Sequence, residues 1–320
     1  MTLLLVMEAI DEGRIKPTDS ITISSYAASM GGSQVFLEEG EIMSVEELIK
    51  CTVIASANDA AVALAEHISG SENLFVNKMN RRASDLGLKN TCFENVTGLD
   101  DTTEHHLTSA LDIALMSREL IKYELIKKYS SLWQDTIRDG EFTLTNTNRL
   151  VRYYDGCNGL KTGSTDKAGY CISASAKRGG MELIAVVMGA KTRDERNRIA
   201  KELLDFGFAT YGLYRDEGGY LQDADCLGAT RSSVGLYADG FSCVVGKGDL
   251  GRIERVYDIP QELAAPVASG ETVGTVRYFL HDREIGTVSV RCAESVEKIG
   301  YGRLLWCVLR HLVCGCACDG

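Results

Sequence analysis

Two apolar segments joined by a short polar turn constrain the fold of this chain most. Residues 168–176 and 181–188 are each mostly apolar, and the polar residues 177–180 between them end in two glycines. Runs of this length around a glycine turn are typical of two antiparallel strands. With helical patterns on both sides of it in the sequence, this β-hairpin predicts an antiparallel sheet flanked by helices.

Helical patterns dominate the residues before the hairpin. Ser44 followed by Glu47 is a capping box, which predicts that a helix starts here and continues to Ile54. Ser71 and Thr108 are predicted to cap two later helices in the same way. The predicted helices are residues 1–10, 44–54, 60–68 and 71–87, the helix that follows Thr108, and residues 193–208.

The pattern changes near residue 214. From there on, short strand-like runs are separated by glycine and charged turns, and the sequence shows no helical period. The length of the chain allows two domains. We therefore predict a first domain over residues 1–213 and a small β-sandwich domain over residues 214–292. The strand-like runs are residues 234–237, 242–245, 253–257, 272–280 and 285–290, with a hairpin turn at 281–284.

The last segment, residues 293–320, has a helical pattern again, starting at Glu294. Its cations, Lys298, Arg303 and Arg310, accompany an apolar face. This combination is typical of an amphipathic helix on a membrane surface, although a helix packed on the β domain would have a similar pattern. The apolar face consists of Val296, Ile299, Leu304, Leu305, Val308, Leu309 and Leu312.

Charge and cysteine content limit the partners. A formal net charge of −11 argues against nucleic acid as the main partner. Scattered cysteines within apolar runs predict buried free thiols, with disulfides as the alternative. Without a second cluster or a histidine pair we expect no metal and no cofactor, and the role of the C-terminal cysteines stays open. These are Cys307, Cys314, Cys316 and Cys318.

One candidate site motif is Lys161-Thr162-Gly163, which directly precedes the predicted hairpin. An ammonium, a hydroxyl and a glycine on an edge strand suit a carboxylate ligand, because the glycine lets the ligand approach the backbone closely. A solvent-exposed lysine in a turn is the alternative interpretation of the same three residues.

The second candidate motif is Ser56-Ala57-Asn58, which interrupts an apolar helical pattern. Serine and asparagine are unfavourable inside helices because they compete for backbone hydrogen bonds. Either residue could cap the following helix. Alternatively, Ser56 relays a proton and Asn58 holds a substrate amide.

His105 and His106 are adjacent, so their side chains diverge, and we predict loop residues rather than a chelating pair.

These motifs, in this order, resemble the penicillin-recognising serine acyl-transferases, and more narrowly the low-molecular-weight penicillin-binding proteins that act as serine-type D-alanyl-D-alanine carboxypeptidases. The tail after residues 294–296 also resembles the membrane-anchoring helix of that family. The resemblance implies an α+β fold, a transpeptidase/β-lactamase-like domain followed by a small β domain. The matching segments are residues 29–33, 54–60, 95–100, 159–164, 182–189 and 265–270.

The resemblance implies a function outside the cytoplasm, at the outer face of the cell membrane. The expected substrate is a peptidoglycan stem peptide ending in D-Ala-D-Ala, and β-lactams are the expected inhibitors. By the same resemblance, Ser56 passes a proton to the leaving amine and Asn58 orients the substrate. Lys161 and Thr162 bind the terminal carboxylate, and Gly163 permits close approach.

The resemblance also assigns an oxyanion hole, half of which is the backbone N–H of Ser164. The other half belongs to the nucleophilic serine, which the family supplies in a Ser-x-x-Lys motif. Met1 and Thr2 match the residues that follow this motif in the family. We therefore expect the nucleophile and a secretion signal upstream, and this chain as written to be inactive and poorly stable, with an exposed sheet edge.

Two other stretches have the letters of the missing motif. Ser164 and Lys167 lie at the predicted strand-to-turn segment, and Ser295 and Lys298 open the predicted tail helix, so we interpret both as chance matches. Ser71 begins a helix but lacks the lysine. Two alternatives therefore accompany the carboxypeptidase interpretation: a β-lactamase of the same fold, and a non-catalytic fragment or scaffold.

Overall fold

The computed structural model describes residues 1–101 and 103–314 and divides the chain into two units, Met1–Ala209 and Thr210–Gly320. In chain order the first unit contains α1 (Thr2–Asp11), β1 (Ser20–Thr22), α2 (Ser25–Ala28), β2 (Ile42–Ser44), α3 (Val45–Lys50), a π-helical turn (Cys51–Ala55), α4 (Asn58–Ser69), α5 (Glu72–Asp85), α6 (Ala110–Leu120), α7 (Glu124–Ser130), β3 (Gln134–Ile137), β4 (Phe142–Thr145), α8 (Leu150–Tyr153), β5 (Cys157–Thr165), β6 (Gly169–Arg178), β7 (Met181–Ala190) and α9 (Arg193–Thr210).

The predicted hairpin is confirmed as β6 and β7. Gly179 and Gly180, which join the two strands, both have positive φ, a conformation that glycine adopts without steric cost. β5 pairs antiparallel with the other side of β6, with Lys161 opposite Ser173. The strand order is β5-β6-β7, so β5 is an edge strand and carries the Lys161-Thr162-Gly163 motif.

Two of the three predicted helix caps are confirmed. The hydroxyl of Ser44 accepts from the Glu47 N–H while the Glu47 carboxylate accepts from the Ser44 N–H, and Ser71 caps α5. The cap predicted at Thr108 is wrong, because the hydroxyl of Ser109 accepts from the first turn of α6 and Thr108 instead bonds Thr91.

The core of the first unit surrounds α4. Asn58–Ala65, the first eight residues of this helix, are all buried, and α1 and α3 contribute further buried apolar side chains. A buried helix at the centre of the core restricts the position of the residues just before it. Ser56 is therefore held at a defined place beside the core.

The second unit is mostly β structure. A six-stranded sheet has the order β12-β14-β15-β10-β9-β13, and β11 pairs with β8 in a second sheet. The elements are β8 (Tyr211–Asp216), β9 (Gly219–Leu227), β10 (Ser233–Ala238), β11 (Phe241–Gly246), a 3-10 segment (Lys247–Arg252), β12 (Glu254–Asp258), β13 (Glu262–Ala264), β14 (Thr272–Leu280), β15 (Arg283–Cys292) and α10 (Tyr301–Cys314).

The hairpin turn predicted at residues 281–284 is confirmed between β14 and β15. His281 and Asp282 both have positive φ, as two-residue hairpin turns of the primed type require. By contrast, β8, β9 and β13 were not predicted, because acidic and glycine residues interrupt the apolar pattern there.

The tail helix begins later than expected. Val296 is 1% exposed and exchanges backbone hydrogen bonds with Val267, and the N–H of Ile299 donates to Gly228. The prediction of a helix from Glu294 is therefore wrong, because residues up to Ile299 bond to the β domain, and Ser295 and Lys298 do not open a helix. Cys307 and Cys314 belong to α10, and Cys316 and Cys318 lie outside the described residues.

The cysteines from Cys51 to Cys292 are free thiols, as predicted, but only Cys51, Cys226 and Cys292 are buried. Burial raises the pKa of the Cys51 thiol far above its ordinary value. Cys51 is thus a packing residue rather than a reactive one.

Candidate active site

Ser56 stands at a sharp bend between α3 and α4. The π-helical turn Cys51–Ala55 ends at Ser56, whose backbone is left-handed with φ 64° and ψ 32°. This conformation is uncommon for residues other than glycine, and it is maintained here by the buried helices on both sides. The bend brings the Ser56 hydroxyl to Lys161 of β5, whose Nζ donates to Ser56 Oγ at 2.5 Å.

Lys161 is the cation of this site. Its Nζ also donates to the carbonyl oxygen of Thr162, at 2.7 Å. Burial, together with the nearby positive charge of Arg196, lowers the pKa of Lys161 to about 8. The side chain can therefore hold a charge at neutral pH and release a proton in mildly basic solution.

Thr162, like Lys161, is linked by hydrogen bonds to the segment that contains Ser56. Its hydroxyl donates to the hydroxyl of Thr147 at 2.8 Å, and the N–H of Thr147 donates to the carbonyl of Ile54 at 3.1 Å. The two predicted motifs, although far apart in sequence, thus meet at the C-terminal end of the π-helical turn, directly between Lys161 and Ser56 and by way of Thr147 between Thr162 and Ile54. A Cβ added at Gly163 would have no atom of the chain within 4 Å, so the space beside this residue is open.

Asn58 contacts the segment over residues 31–33. Its Nδ2 donates to the carbonyl of Gly31, and its N–H donates to the carbonyl of Ser33, both at 2.8 Å. A Cβ on Gly32 would lie 2.7 Å from Asn58 Nδ2, so only glycine fits there without displacing the amide. The structure thus shows what holds Asn58; its contact with a substrate amide stays a prediction.

Asp59 was not recognised from the sequence. Its carboxylate is fully buried and accepts hydrogen bonds from the N–H groups of Val35 and Leu37, both at 3.1 Å. A buried acid beside the Ser56 motif anchors the segment that passes over Asn58. The signal that could have revealed it is a charged residue at the start of an otherwise apolar helix.

We expect the Asp59→Asn substitution to lower the free energy of unfolding by about 2–3 kcal/mol, because an amide nitrogen would replace one of the accepting oxygens. Urea denaturation measures this change. Asp85→Asn, at an exposed acid of α5, is the matched control and should change stability by less than about 0.5 kcal/mol. Equal effects of the two substitutions would show that the Asp59 contacts do not anchor the loop.

A pair of buried asparagines, also missed, positions the start of β5. Asn148 Nδ2 donates to the carbonyl of Gly159 at 2.8 Å, and the Asn148 N–H donates to Asn146 Oδ1. Asn146 in turn donates to the carbonyl of Leu132 at 2.8 Å. These side chains satisfy backbone groups that would otherwise be buried without partners, so they fix β5 relative to α7.

Arg196 of α9 adds a second cation near Lys161. It is 3% exposed, and its guanidinium donates to Asn197 Oδ1 and to the carbonyl of Cys171. Its positive charge acts on Lys161, where it is one of the causes of the lowered pKa. The open edge of β5 is consequently suited to an anionic ligand.

The histidine pair is a loop feature, as predicted. His106 Nδ1 accepts from the N–H of Glu94 at 3.2 Å, and its ring packs edge-on against Phe93. Burial lowers the pKa of His106, so the ring is neutral at physiological pH. His106 thus serves to hold this loop together.

Comparison with protein families gives two matches in succession. Residues 1–192 match the family described as D-alanyl-D-alanine carboxypeptidase. Residues 213–298 match the C-terminal domain of penicillin-binding protein 5. Among characterised proteins, D-alanyl-D-alanine carboxypeptidase DacF of Bacillus subtilis is 44% identical over 308 residues, which cover 94% of this chain and 79% of that protein.

Solved structures of similar proteins share the fold. Penicillin-binding protein 5 from Haemophilus influenzae is 32% identical with a TM-score of 0.73, and the match covers 93% of this chain and 88% of that one. Penicillin-binding protein D2 from Listeria monocytogenes, solved in an ampicillin-bound form, is 30% identical with a TM-score of 0.59, covering 65% of this chain and 83% of that one.

Proposed function

The chain belongs to the D-alanyl-D-alanine carboxypeptidase family of low-molecular-weight penicillin-binding proteins, and from this membership we propose how its residues serve that reaction. The reaction removes the terminal D-alanine of a peptidoglycan stem peptide, outside the cytoplasm, through an acyl-enzyme on a serine. The observation that carries the assignment of residues is the contact between Lys161 Nζ and Ser56 Oγ across the two motifs.

The role assigned to Ser56 is the transfer of a proton to the leaving amine. In the acylation step, the nucleophilic serine oxygen bonds to the carbonyl carbon of the penultimate D-alanine and the peptide C–N bond breaks. The attacking serine gives its hydroxyl proton to the lysine of its own Ser-x-x-Lys motif. The leaving amine takes a proton from the Ser56 hydroxyl, which regains one from Lys161 through their hydrogen bond, and the proton held by the motif lysine then returns to Lys161 by way of Ser56. Water then hydrolyses the ester and releases the shortened peptide.

Lys161, Thr162 and Gly163 form the carboxylate side of the proposed site. The terminal carboxylate of the substrate lies along the open edge of β5, where Lys161 supplies charge and Thr162 a hydroxyl. Gly163 leaves the space open, and the N–H of Ser164, an exposed residue of β5, is the half of the oxyanion hole that these residues contribute. The positive charge of Arg196 near Lys161 strengthens the attraction of the carboxylate.

The test of this assignment is the pH dependence of ligand binding. Lys161 is protonated below about pH 8, so affinity for an N-acyl-D-Ala-D-Ala peptide should be full at pH 7 and fall about tenfold by pH 9. Isothermal titration calorimetry on the chain measures both affinities. The same peptide with a C-terminal amide, and the Lys161→Met variant, should bind weakly with no such dependence; an unchanged affinity of the acid from pH 7 to 9 would contradict the assignment.

α10 is proposed to lie on the membrane surface. Leu304, Leu305, Val308 and Leu309, at helical spacing, are each 46–62% exposed, and Arg303 lies beside them. Exposed apolar side chains accompanied by cations favour an anionic lipid interface over packing against the β domain. Within residues 1–101 and 103–314, the helices are all too short or too polar to cross a bilayer.

We expect Leu309→Ser to weaken binding to vesicles containing anionic phospholipid about tenfold, because one leucine loses its insertion into the interface. Co-sedimentation with the vesicles measures the bound fraction. Leu227→Ser, at an equally exposed leucine of β9, should leave vesicle binding unchanged. If both substitutions act alike, α10 is not the membrane contact.

A further inference from the structure

The second unit contains a half-open cleft that the carboxypeptidase reaction does not use. Its volume is about 510 Å³, within the range of sites for small organic ligands. Polar and aromatic side chains line it, namely Asp216, Tyr220, Gln222, Arg255, Tyr257 and Tyr278.

The cleft continues the inner face of the six-stranded sheet. Arg255 and Tyr257 of β12 lie opposite Tyr278 and Val276 of β14, and residues directly opposite on paired strands share a face. Tyr278 and Val276 are 1% exposed and belong to the core. Since β12 is an edge strand, the face that is buried at β14 opens toward solvent at Arg255 and Tyr257.

The opposite wall comes from β9. Tyr220 and Gln222 line the same cleft, although β14, β15 and β10 separate β9 from β12 in the sheet. A single cleft bounded by both strands requires the sheet to curl, so that its two sides face each other across the opening. The cleft is thus formed mainly by strands of this sheet, with Asp216 of β8 completing its lining.

The polar groups at the bottom of the cleft, which we call its floor, are held by hydrogen bonds, and their charges are paired. The Asp216 carboxylate accepts from Arg255 Nη1 at 2.9 Å, from the Tyr278 hydroxyl at 3.1 Å and from the N–H of Gly218 at 3.0 Å. Because the charge of Arg255 is paired with that of Asp216, the floor offers hydrogen bonds without net charge. A neutral ligand suits this floor better than an anion or a cation.

The rim is aromatic. Tyr220 is 57% exposed and Tyr257 47% exposed, and Tyr220 is held edge-on against Tyr237 with ring centroids 5.6 Å apart. Tyrosine combines an apolar ring with a polar tip, so exposed tyrosines suit ligands that have both apolar C–H faces and polar groups. Hexose rings that carry hydroxyl and acetamido groups have this character, and Gln222 and Arg255 can donate to those groups.

We propose that this cleft binds a neutral oligosaccharide of N-acetylated hexosamines, the chemistry of a peptidoglycan glycan strand. Only the identification of the glycan with the cell wall rests on the proposed function; the cleft itself belongs to a separate unit. Bound there, a glycan strand would keep the enzyme on the polymer whose stem peptides it trims.

The test is titration of the full chain with a tetramer of N-acetylglucosamine, monitored by calorimetry. We expect saturable binding that Tyr220→Ala and Tyr257→Ala each weaken at least tenfold, whereas Tyr257→Phe, which retains the ring, weakens it less than threefold. Tyr301→Ala, at a tyrosine of α10 that is 92% exposed, is the matched control and should bind like the unchanged chain. Circular dichroism melting establishes that each variant is folded.

Absence of saturable binding by the unchanged chain, or an equal loss in Tyr301→Ala, overturns the proposal. Its failure is distinguishable from failure of the proposed function, because N-acyl-D-Ala-D-Ala binding depends on Lys161 in the first unit. A saturating amount of that peptide should leave the affinity for the tetramer unchanged. Competition between the two ligands would place the sugar in the carboxylate site and would also overturn the proposal.

Discussion

A polypeptide of residues 1–320 alone will gain no mass when incubated with ampicillin, whereas a version extended at its N-terminus by a segment carrying Ser-x-x-Lys will gain the mass of one drug molecule. The reason is chemical: β-lactams acylate the serine of that motif, and residues 1–320 do not contain it at a helix start beside Ser56. Loss of the nucleophile in a comparable serine hydrolase costs about 10⁶-fold in rate. Intact mass spectrometry reads the difference directly.

The two other Ser-x-x-Lys stretches of the chain, at Ser164 and at Ser295, do not change this expectation. Ser164 is exposed at the end of β5, and Lys167 donates to the carbonyls of Asp100 and Thr103 rather than approaching Ser164. Ser295 and Lys298 lie in the second unit, in a segment that forms isolated β-bridges with Ala229 and Val267.

The control for this experiment is the extended chain with its motif serine replaced by alanine, which should gain no mass either. If the unextended chain is acylated, another nucleophile must act. Ser56→Ala would then identify it, because Ser56 is the serine whose hydroxyl contacts Lys161. If neither form is acylated, the proposed assignment of Ser56 and Lys161 has to be abandoned.

Local signals in the sequence predicted much of the fold. The capping box at Ser44, the paired glycines of the β6–β7 turn and the β14–β15 turn act through neighbouring residues, so a short stretch of sequence determines them. The predicted start of the tail helix failed for the opposite reason. Apolar periodicity includes Val296, but hydrogen bonds to Val267, distant in the sequence, hold it in the β domain.

Some residues of the candidate site were likewise predicted from the sequence, and others were missed. Ser56 was predicted because serine is unfavourable inside an apolar helix, and Lys161 because Lys-Thr-Gly on an edge strand suits a carboxylate; the family resemblance then supplied their roles. Asp59, Asn148 and Arg196 act on groups distant in sequence, namely the N–H of Val35, the carbonyl of Gly159 and the charge of Lys161. Their importance depends on which backbone groups the fold buries, and a single sequence does not reveal that.

The second large effect is expected at Lys161. In the extended, active chain, Lys161→Met should lower kcat/KM for an N-acyl-D-Ala-D-Ala peptide about 10³-fold, because the substitution removes both the partner of Ser56 and the charge that attracts the carboxylate. Release of D-alanine measures the rate. Lys191→Met, at an exposed lysine just after β7, is the matched control and should leave kcat/KM within about twofold.

A double-mutant cycle separates the proton relay from simple attraction of the carboxylate. If Ser56 regains its proton from Lys161, each substitution disables the same relay, so Ser56→Ala combined with Lys161→Met should be little slower than the slower single variant. If Lys161 acts only as a charge for the carboxylate, the two losses multiply and the double variant falls well below both. The hydrogen bond of 2.5 Å between Lys161 and Ser56 favours the first result, since groups in direct contact rarely contribute independently.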